Sequence, residues 1–168
     1  MPFTTRVARP SDAEALSHVA GQTFALASPP DSAAQALQEY IDTRLQPEHF
    51  VLHLLNPRKR LRVLEHLGKV VGYSLVDSAP ESLGIAEADG VPELSRCYVL
   101  PEHHGLGGAQ LLLDDTLAPV RGGIRLTVNE QNTRAIRFYQ RNGFSKVGEA
   151  VFECGPERHR DWVMVARR

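Results

Sequence analysis

Read as a pattern of apolar and polar positions, the chain opens with a short strand, Thr4 to Ala8. Pro10 and a Ser11-x-x-Glu14 capping box then predict the start of a helix. The stretch ASPPD at 27–31 breaks the chain. Ala34, Leu37, Ile41 and Leu45 recur at helical spacing and predict an amphipathic helix. Pro47 suits the first turn of another, with Phe50, Val51, Leu54 and Leu55 as its apolar face, and Asn56-Pro57 ends it. Leu61 to His66 and Lys69 to Val76 read as a hairpin around Leu67-Gly68. Residues 77–92 are polar and irregular, a loop long enough to shape a site.

Beyond the loop the pattern alternates. Leu94 to Leu100 is a strand, Leu106 to Leu117 a helix stopped by Pro119, and Ile124 to Val128 a strand. Thr133 to Arg141 is a helix closed by Asn142-Gly143, a left-handed C-terminal cap. Phe144 to Phe152 and Trp162 to Ala166 form a last strand pair around a Gly-Pro turn. This order predicts one domain over 1–168, of α+β class, with helices on both faces of a mixed, largely antiparallel sheet.

Composition narrows the function. The formal net charge is -1, without the basic excess that nucleic-acid binding needs. The clusters Arg58, Lys59, Arg60, Arg62 and Arg134, Arg137, Arg141 read as solvated faces. Cys97 and Cys154 are far apart, which predicts neither a disulfide framework nor a zinc site and suits a reducing cytosol. Cys97, in an apolar strand, reads as a small core residue. The adjacent His103 and His104 lack a third ligand, so no metal site is expected. The first residues contain no apolar leader and no run approaches membrane-spanning length, so a soluble cytoplasmic protein without a membrane partner is expected.

One stretch carries chemistry. Glu93-Leu-Ser-Arg-Cys-Tyr-Val-Leu-Pro-Glu-His-His-Gly-Leu-Gly-Gly-Ala109 runs a strand into a glycine-rich turn that opens a helix. Gly105, Gly107 and Gly108 let the backbone approach a ligand and leave N–H groups unpaired at the helix start. Those donors and the positive end of the helix dipole make an anion site suited to a pyrophosphate. No Gly-Lys-Ser/Thr follows, so this is not a Walker A loop, and Gly-x-Gly-x-x-Gly is unmet.

With the later stretch Asn132-x-x-Ala135-x-x-Phe138-Tyr139-x-x-x-Gly143-Phe144, the chain strongly resembles the GNAT superfamily of N-acetyltransferases. His104 stands where the family's phosphate loop usually has Arg or Gln, and Gly108 where a residue is commonly aliphatic. The resemblance implies acetyl-CoA as cosubstrate and direct attack of an amine on the thioester. It implies that Val99 and Leu100 offer backbone groups to the pantetheine arm. It implies further that His104, Gly105, Leu106, Gly107, Gly108 and Ala109 hold the pyrophosphate, and that Asn132 contacts the arm. Tyr139 would be the general acid, since a phenol stays protonated at neutral pH. Glu93, at the head of the strand leading to the cofactor, would be the base.

Segments 23–24, 37–41, 45–55 and 93–99 are similar to polyamine acetyltransferases of the PaiA type, which implies a small amine acceptor. Glu81, Glu87, Asp89 and Glu93 would attract a polycation. Peptide or protein N-termini, or a non-catalytic CoA-binding sensor, are the alternatives. Many relatives dimerise through C-terminal strands, so a homodimer is one assembly the resemblance allows.

Overall fold

Seven strands form one sheet in the order β1-β2-β3-β4-β5-β7-β6 in the computed structural model, which describes residues 2–168. In chain order β1 is Phe3–Val7, followed by helices α1 (Ala13–Ala27), α2 (Ala34–Arg44) and α3 (Pro47–Leu55). Next come strands β2 (Lys59–His66), β3 (Lys69–Asp77) and β4 (Glu93–Val99), then α4 (Gly108–Leu117) and β5 (Gly123–Asn129). Helix α5 (Thr133–Arg141) leads to the closing hairpin of β6 (Ser145–Cys154) and β7 (Glu157–Arg167). Every strand pairing is antiparallel except β4 with β5. The α+β expectation with a mixed, largely antiparallel sheet therefore holds.

Successive residues of a strand point to opposite faces, and β3 shows which helix covers which face. The Ser74 hydroxyl meets the Thr116 hydroxyl of α4 at 2.7 Å. Its neighbour Tyr73 packs edge-on against Phe50 of α3, with ring centroids 5.6 Å apart. Thus α4 lies on one face and α3 on the other. Leu16 and Val19 of α1 join Phe50 in the core under β2 and β3. A second core gathers Leu113 and Leu117 of α4, Ile136 and Tyr139 of α5, and Leu126 and Met164 of β5 and β7. Each fully buried aliphatic side chain of this kind stabilises the fold by about 1.5–3 kcal/mol.

Four local readings are corrected. Ser11 does not cap α1: a short 3-10 turn, Pro10–Asp12, precedes it, and the Asp12 carboxylate accepts from Arg9 N at 2.7 Å while pairing with Arg6 at 2.8 Å. An ionised carboxylate held by arginine is the stronger acceptor. Of the proposed apolar face of α3 only Phe50 is buried; Leu55 is among the exposed side chains. Helix α4 begins at Gly108, two residues later than the apolar pattern predicts. Strands β6 and β7 extend out to a Gly155-Pro156 turn, because their pairing with each other sustains polar positions that show no apolar alternation.

Candidate active site

The glycine-rich turn after β4 forms a cradle of donors. Gly105 and Gly107 adopt φ of 76° and 91°, left-handed values that favour glycine. Leu111 N–H is the first to bond within the helix, to Gly107 O at 3.1 Å. Among the described residues, the N–H groups from Gly105 to Gln110 find no backbone acceptor. Leu106 stands out into solvent. Gly108 serves a different purpose from its neighbours. A Cβ there would lie 2.9 Å from Leu64 Cδ2 and 3.1 Å from Phe3 Cδ1, so the glycine lets α4 close onto β1 and β2.

His104 does not stand free to meet an anion. One ring nitrogen, Nε2, lies 2.7 Å from Val99 O, and the other faces the Arg134 guanidinium. Because arginine only donates, Nδ1 accepts and Nε2–H donates to Val99 O. The ring ties the turn, β4 and α5 together. The cation at the cradle is Arg134, exposed as expected and, among the described residues, without a carboxylate partner. Arg134 and Arg141 line the cleft, while Arg137 is exposed outside it.

Strands β4 and β5 pair at one register position, Glu93 with Arg125, and then part. Leu100 N–H donates to Val71 O at 2.8 Å, so Leu100 and Tyr98 turn their backbone groups toward β3. Alternation turns those of Val99 and Cys97 toward the gap. Of the two residues expected to offer backbone groups to a ligand, Val99 faces the opening and Leu100 is committed elsewhere.

A cleft of about 640 Å³ runs through this gap. On the α4/α5 side it is lined by His104, Ala109, Asn132, Ala135, Phe138 and Tyr139. Asn132 caps α5, its Oδ1 accepting from Ala135 N at 3.3 Å, which leaves its amide NH₂ as the donor. Tyr139 is 8% exposed, and burial pushes its phenol well above the ordinary value, so it keeps its proton. Cys97 also lines the cleft and is half-buried, not simply a core residue. Burial pushes its thiol up to about 12, so it is no thiolate at neutral pH.

Glu93 lies elsewhere. Its carboxylate pairs with Arg125 Nε at 3.3 Å, accepts from Ser95 Oγ at 3.2 Å, and is not part of the cleft lining. Arg125, with a side chain 2% exposed, also donates to Glu81 O at 2.6 Å, Ala88 O at 3.4 Å and Asp89 at 3.4 Å. Asp89 in turn accepts from Leu83 N and Ser82 Oγ. The loop over 78–92 is therefore folded around one buried guanidinium. None of Glu81, Glu87, Asp89 and Glu93 lines the cleft.

The other end of the cleft is aromatic. Phe24 of α1 stacks on Tyr40 of α2 with centroids 4.3 Å apart, and Phe152 of β6 meets both. Ser95, Arg96, Thr127, His159 and Asp161 supply the polar lining. Asp161 of β7 is the one carboxylate among the residues of this cleft. Burial raises its pKa to about 6, against the lowering effects of His159 and the Thr127 hydroxyl. No contiguous stretch of the chain signals this end, because α1, α2, β4, β6 and β7 assemble it. Among the described residues, no group of three metal-binding side chains comes together and no helix is long and apolar enough to cross a membrane.

The sequence model of the acetyltransferase (GNAT) family matches residues 23–144. The chain belongs to the GNAT family of acetyltransferases. An uncharacterised N-acetyltransferase of Mycobacterium tuberculosis is 36% identical over 159 residues, covering 92% of this chain and 97% of its own length. The 5-NmdU N-acetyltransferase of Pseudomonas phage PaMx11 is 30% identical over 106 residues, covering 61% of this chain and 69% of its own. Among solved structures, the PaiA N-acetyltransferase of Thermoplasma acidophilum, in complex with coenzyme A, superposes with a TM-score of 0.77. That likeness covers all of both chains at 18% identity, and so it is one of fold. The GNAT chain described here is thus an N-acyltransferase by family.

Proposed function

We propose that this chain transfers an acetyl group from acetyl-CoA directly to the primary amine of a small molecule. The observation that carries the reading is the parting of β4 from β5, with one cleft passing through the gap and Tyr139 along it. The residues fit the cosubstrate. The free N–H groups of 105–109 and the Arg134 guanidinium suit a pyrophosphate. The outward backbone of Val99 and the Asn132 amide suit the amide groups of an extended arm. Acetyl-CoA, when bound, supplies the thioester that a neutral amine attacks.

Tyr139, buried and protonated, donates a proton to the departing sulfur. The base must take a proton from the incoming ammonium. Glu93 can serve only by leaving its pair with Arg125. Asp161 lines the cleft and titrates at about 6, so at neutral pH it is an ionised base of matched strength. We assign the base to Asp161. The walls made by α1, α2 and the β6–β7 hairpin favour a small molecule over a peptide terminus. The acidic loop lends no support to a polyamine, because its carboxylates lie away from the cleft. The two free thiols, Cys97 and Cys154, support a reducing, cytoplasmic setting.

The test is thiol release from acetyl-CoA against amino acids, simple amines, spermidine, spermine and short peptides. Turnover with a small amine supports the reading. Acetyl-CoA binding with no thiol release for any amine would leave a sensor in its place. Tyr139→Phe should lower kcat by about 100-fold and leave the dissociation constant of acetyl-CoA unchanged; an unaltered kcat would remove the acid role.

A further inference from the structure

The aromatic end of the cleft contains a cation that nothing in the protein neutralises. Arg96 projects from β4 into the lining, with its guanidinium carbon 5.7 Å from the centre of the Phe50 ring. Nη1 is closed off from solvent and has no hydrogen-bond partner. Among the described residues no carboxylate pairs with Arg96. Arginine stays charged under all ordinary conditions. A largely desolvated guanidinium whose polar neighbours are the Tyr73 hydroxyl and His53, with no carboxylate, is unfavourable unless an anion completes it. Stacking on a ring recovers only part of that. Folding alone would favour an apolar side chain here, so the arginine answers to something outside the protein.

The surroundings say what that is. Phe24, Tyr40 and Phe152 supply an apolar wall beside Arg96, and Asp161 is the only acidic side chain in the same lining. One positive and one negative group in an aromatic cleft complement a molecule that carries both signs. A polycation would meet Asp161 but would also bring its charges beside an uncompensated arginine.

We propose that the acceptor is an amine bearing a carboxylate on an apolar body, an amino acid in chemical class, and that Arg96 selects it by binding the carboxylate. The proposal rests on the transferase reading above. Arg96 acts on specificity: it binds the acceptor away from the reacting nitrogen. The planar fork matches a carboxylate in two parallel hydrogen bonds, which a lysine cannot reproduce.

The experiment compares matched acceptors in the thiol-release assay: L-phenylalanine with phenethylamine and L-phenylalaninamide, L-leucine with isoamylamine, and spermidine. Native protein, Arg96→Met and Arg96→Lys are assayed with saturating acetyl-CoA. The acid-bearing member of each pair should be preferred in the native protein. Arg96→Met should raise its KM by about 30- to 1,000-fold, as for a buried charge pair that loses one partner. The same variant should cost phenethylamine, which lacks the carboxylate, at least about tenfold less, so that the preference for the acid collapses, and should leave the melting shift caused by acetyl-CoA unchanged, while Arg96→Lys recovers part of the loss. Native preference for the decarboxylated amines or for spermidine overturns the proposal and leaves the transferase reading standing. An equal loss for both members of a pair in Arg96→Met also overturns it, by showing a structural role. Should the variants not fold, the native preference decides. No thiol release with any amine overturns both the transferase reading and the proposal.

Discussion

Arg125 and Arg96 stand on neighbouring strands of one sheet, and each has drawn a guanidinium out of water. Arg125 is met by two carboxylates and two carbonyl oxygens, and the loop over 78–92 is wrapped around it. Arg96 has aromatic neighbours and an orphaned Nη1. The first arrangement is complete, and its job is architectural. The second is half of an interaction. A buried charge with all its partners inside the chain explains why a loop has its shape. One without a counter-charge, lining a cleft, points to the ligand.

Substitution separates the two. Arg125→Met should be the most damaging for stability, by about 3–5 kcal/mol in urea unfolding, since Asp89 and Glu93 would lose their counter-charge and two carbonyls their donor. A loss below about 1 kcal/mol would mean that the loop does not depend on the guanidinium. Arg96→Met should move the same measurement the other way, raising stability by about 1–3 kcal/mol. A large destabilisation instead would make Arg96 a second Arg125 and remove its claim on a ligand.

Asp161 sharpens the contrast from the acidic side. Its pKa is raised from 3.8 to about 6 in the folded state, chiefly by burial. The native protein therefore holds this proton more tightly than the unfolded chain does. The stability it contributes is full below about pH 4 and is lost as pH rises toward 6. Asp161→Asn should flatten that stretch of the stability curve and gain about 1 kcal/mol at pH 7, after allowance for partial exposure. If Asp161 is the base, the same variant loses the acid limb of kcat/KM near pH 6. An unchanged limb would return the role to another group.

What could be read from the sequence was what lies contiguous in it. The turn over 104–109 and the run from Asn132 to Phe144 carry their chemistry in backbone conformation and helix starts, which short stretches determine. The roles of Tyr139 and Asn132 are what the family resemblance of that run implies. The base role expected of Glu93 rests on its place at the head of β4 and on the family resemblance, and neither shows that Arg125, 32 residues away, pairs with its carboxylate. The acidic loop suggests a polycation, but Asp89 and Glu93 pair with Arg125, while Glu81 and Glu87 are exposed away from the cleft. The acceptor end joins residues as distant as Phe24 and Asp161, so no local pattern could expose it. One signal was available. Arg125 interrupts the apolar positions of β5 and Arg96 precedes the apolar end of β4, and a charge in such a place asks for a partner.

The parting of β4 from β5 gives the middle of the sheet a property of its rim. Cys97 and Val99 belong to a central strand, yet one side of their backbone has no neighbouring strand. Their amide hydrogens should exchange with solvent deuterium as fast as those of an edge, while Tyr98 and Leu100, bonded to β3, stay protected. Along one strand, protection should thus alternate residue by residue. A ligand that fills the gap should even out that pattern, which makes these few amides an internal gauge of occupancy.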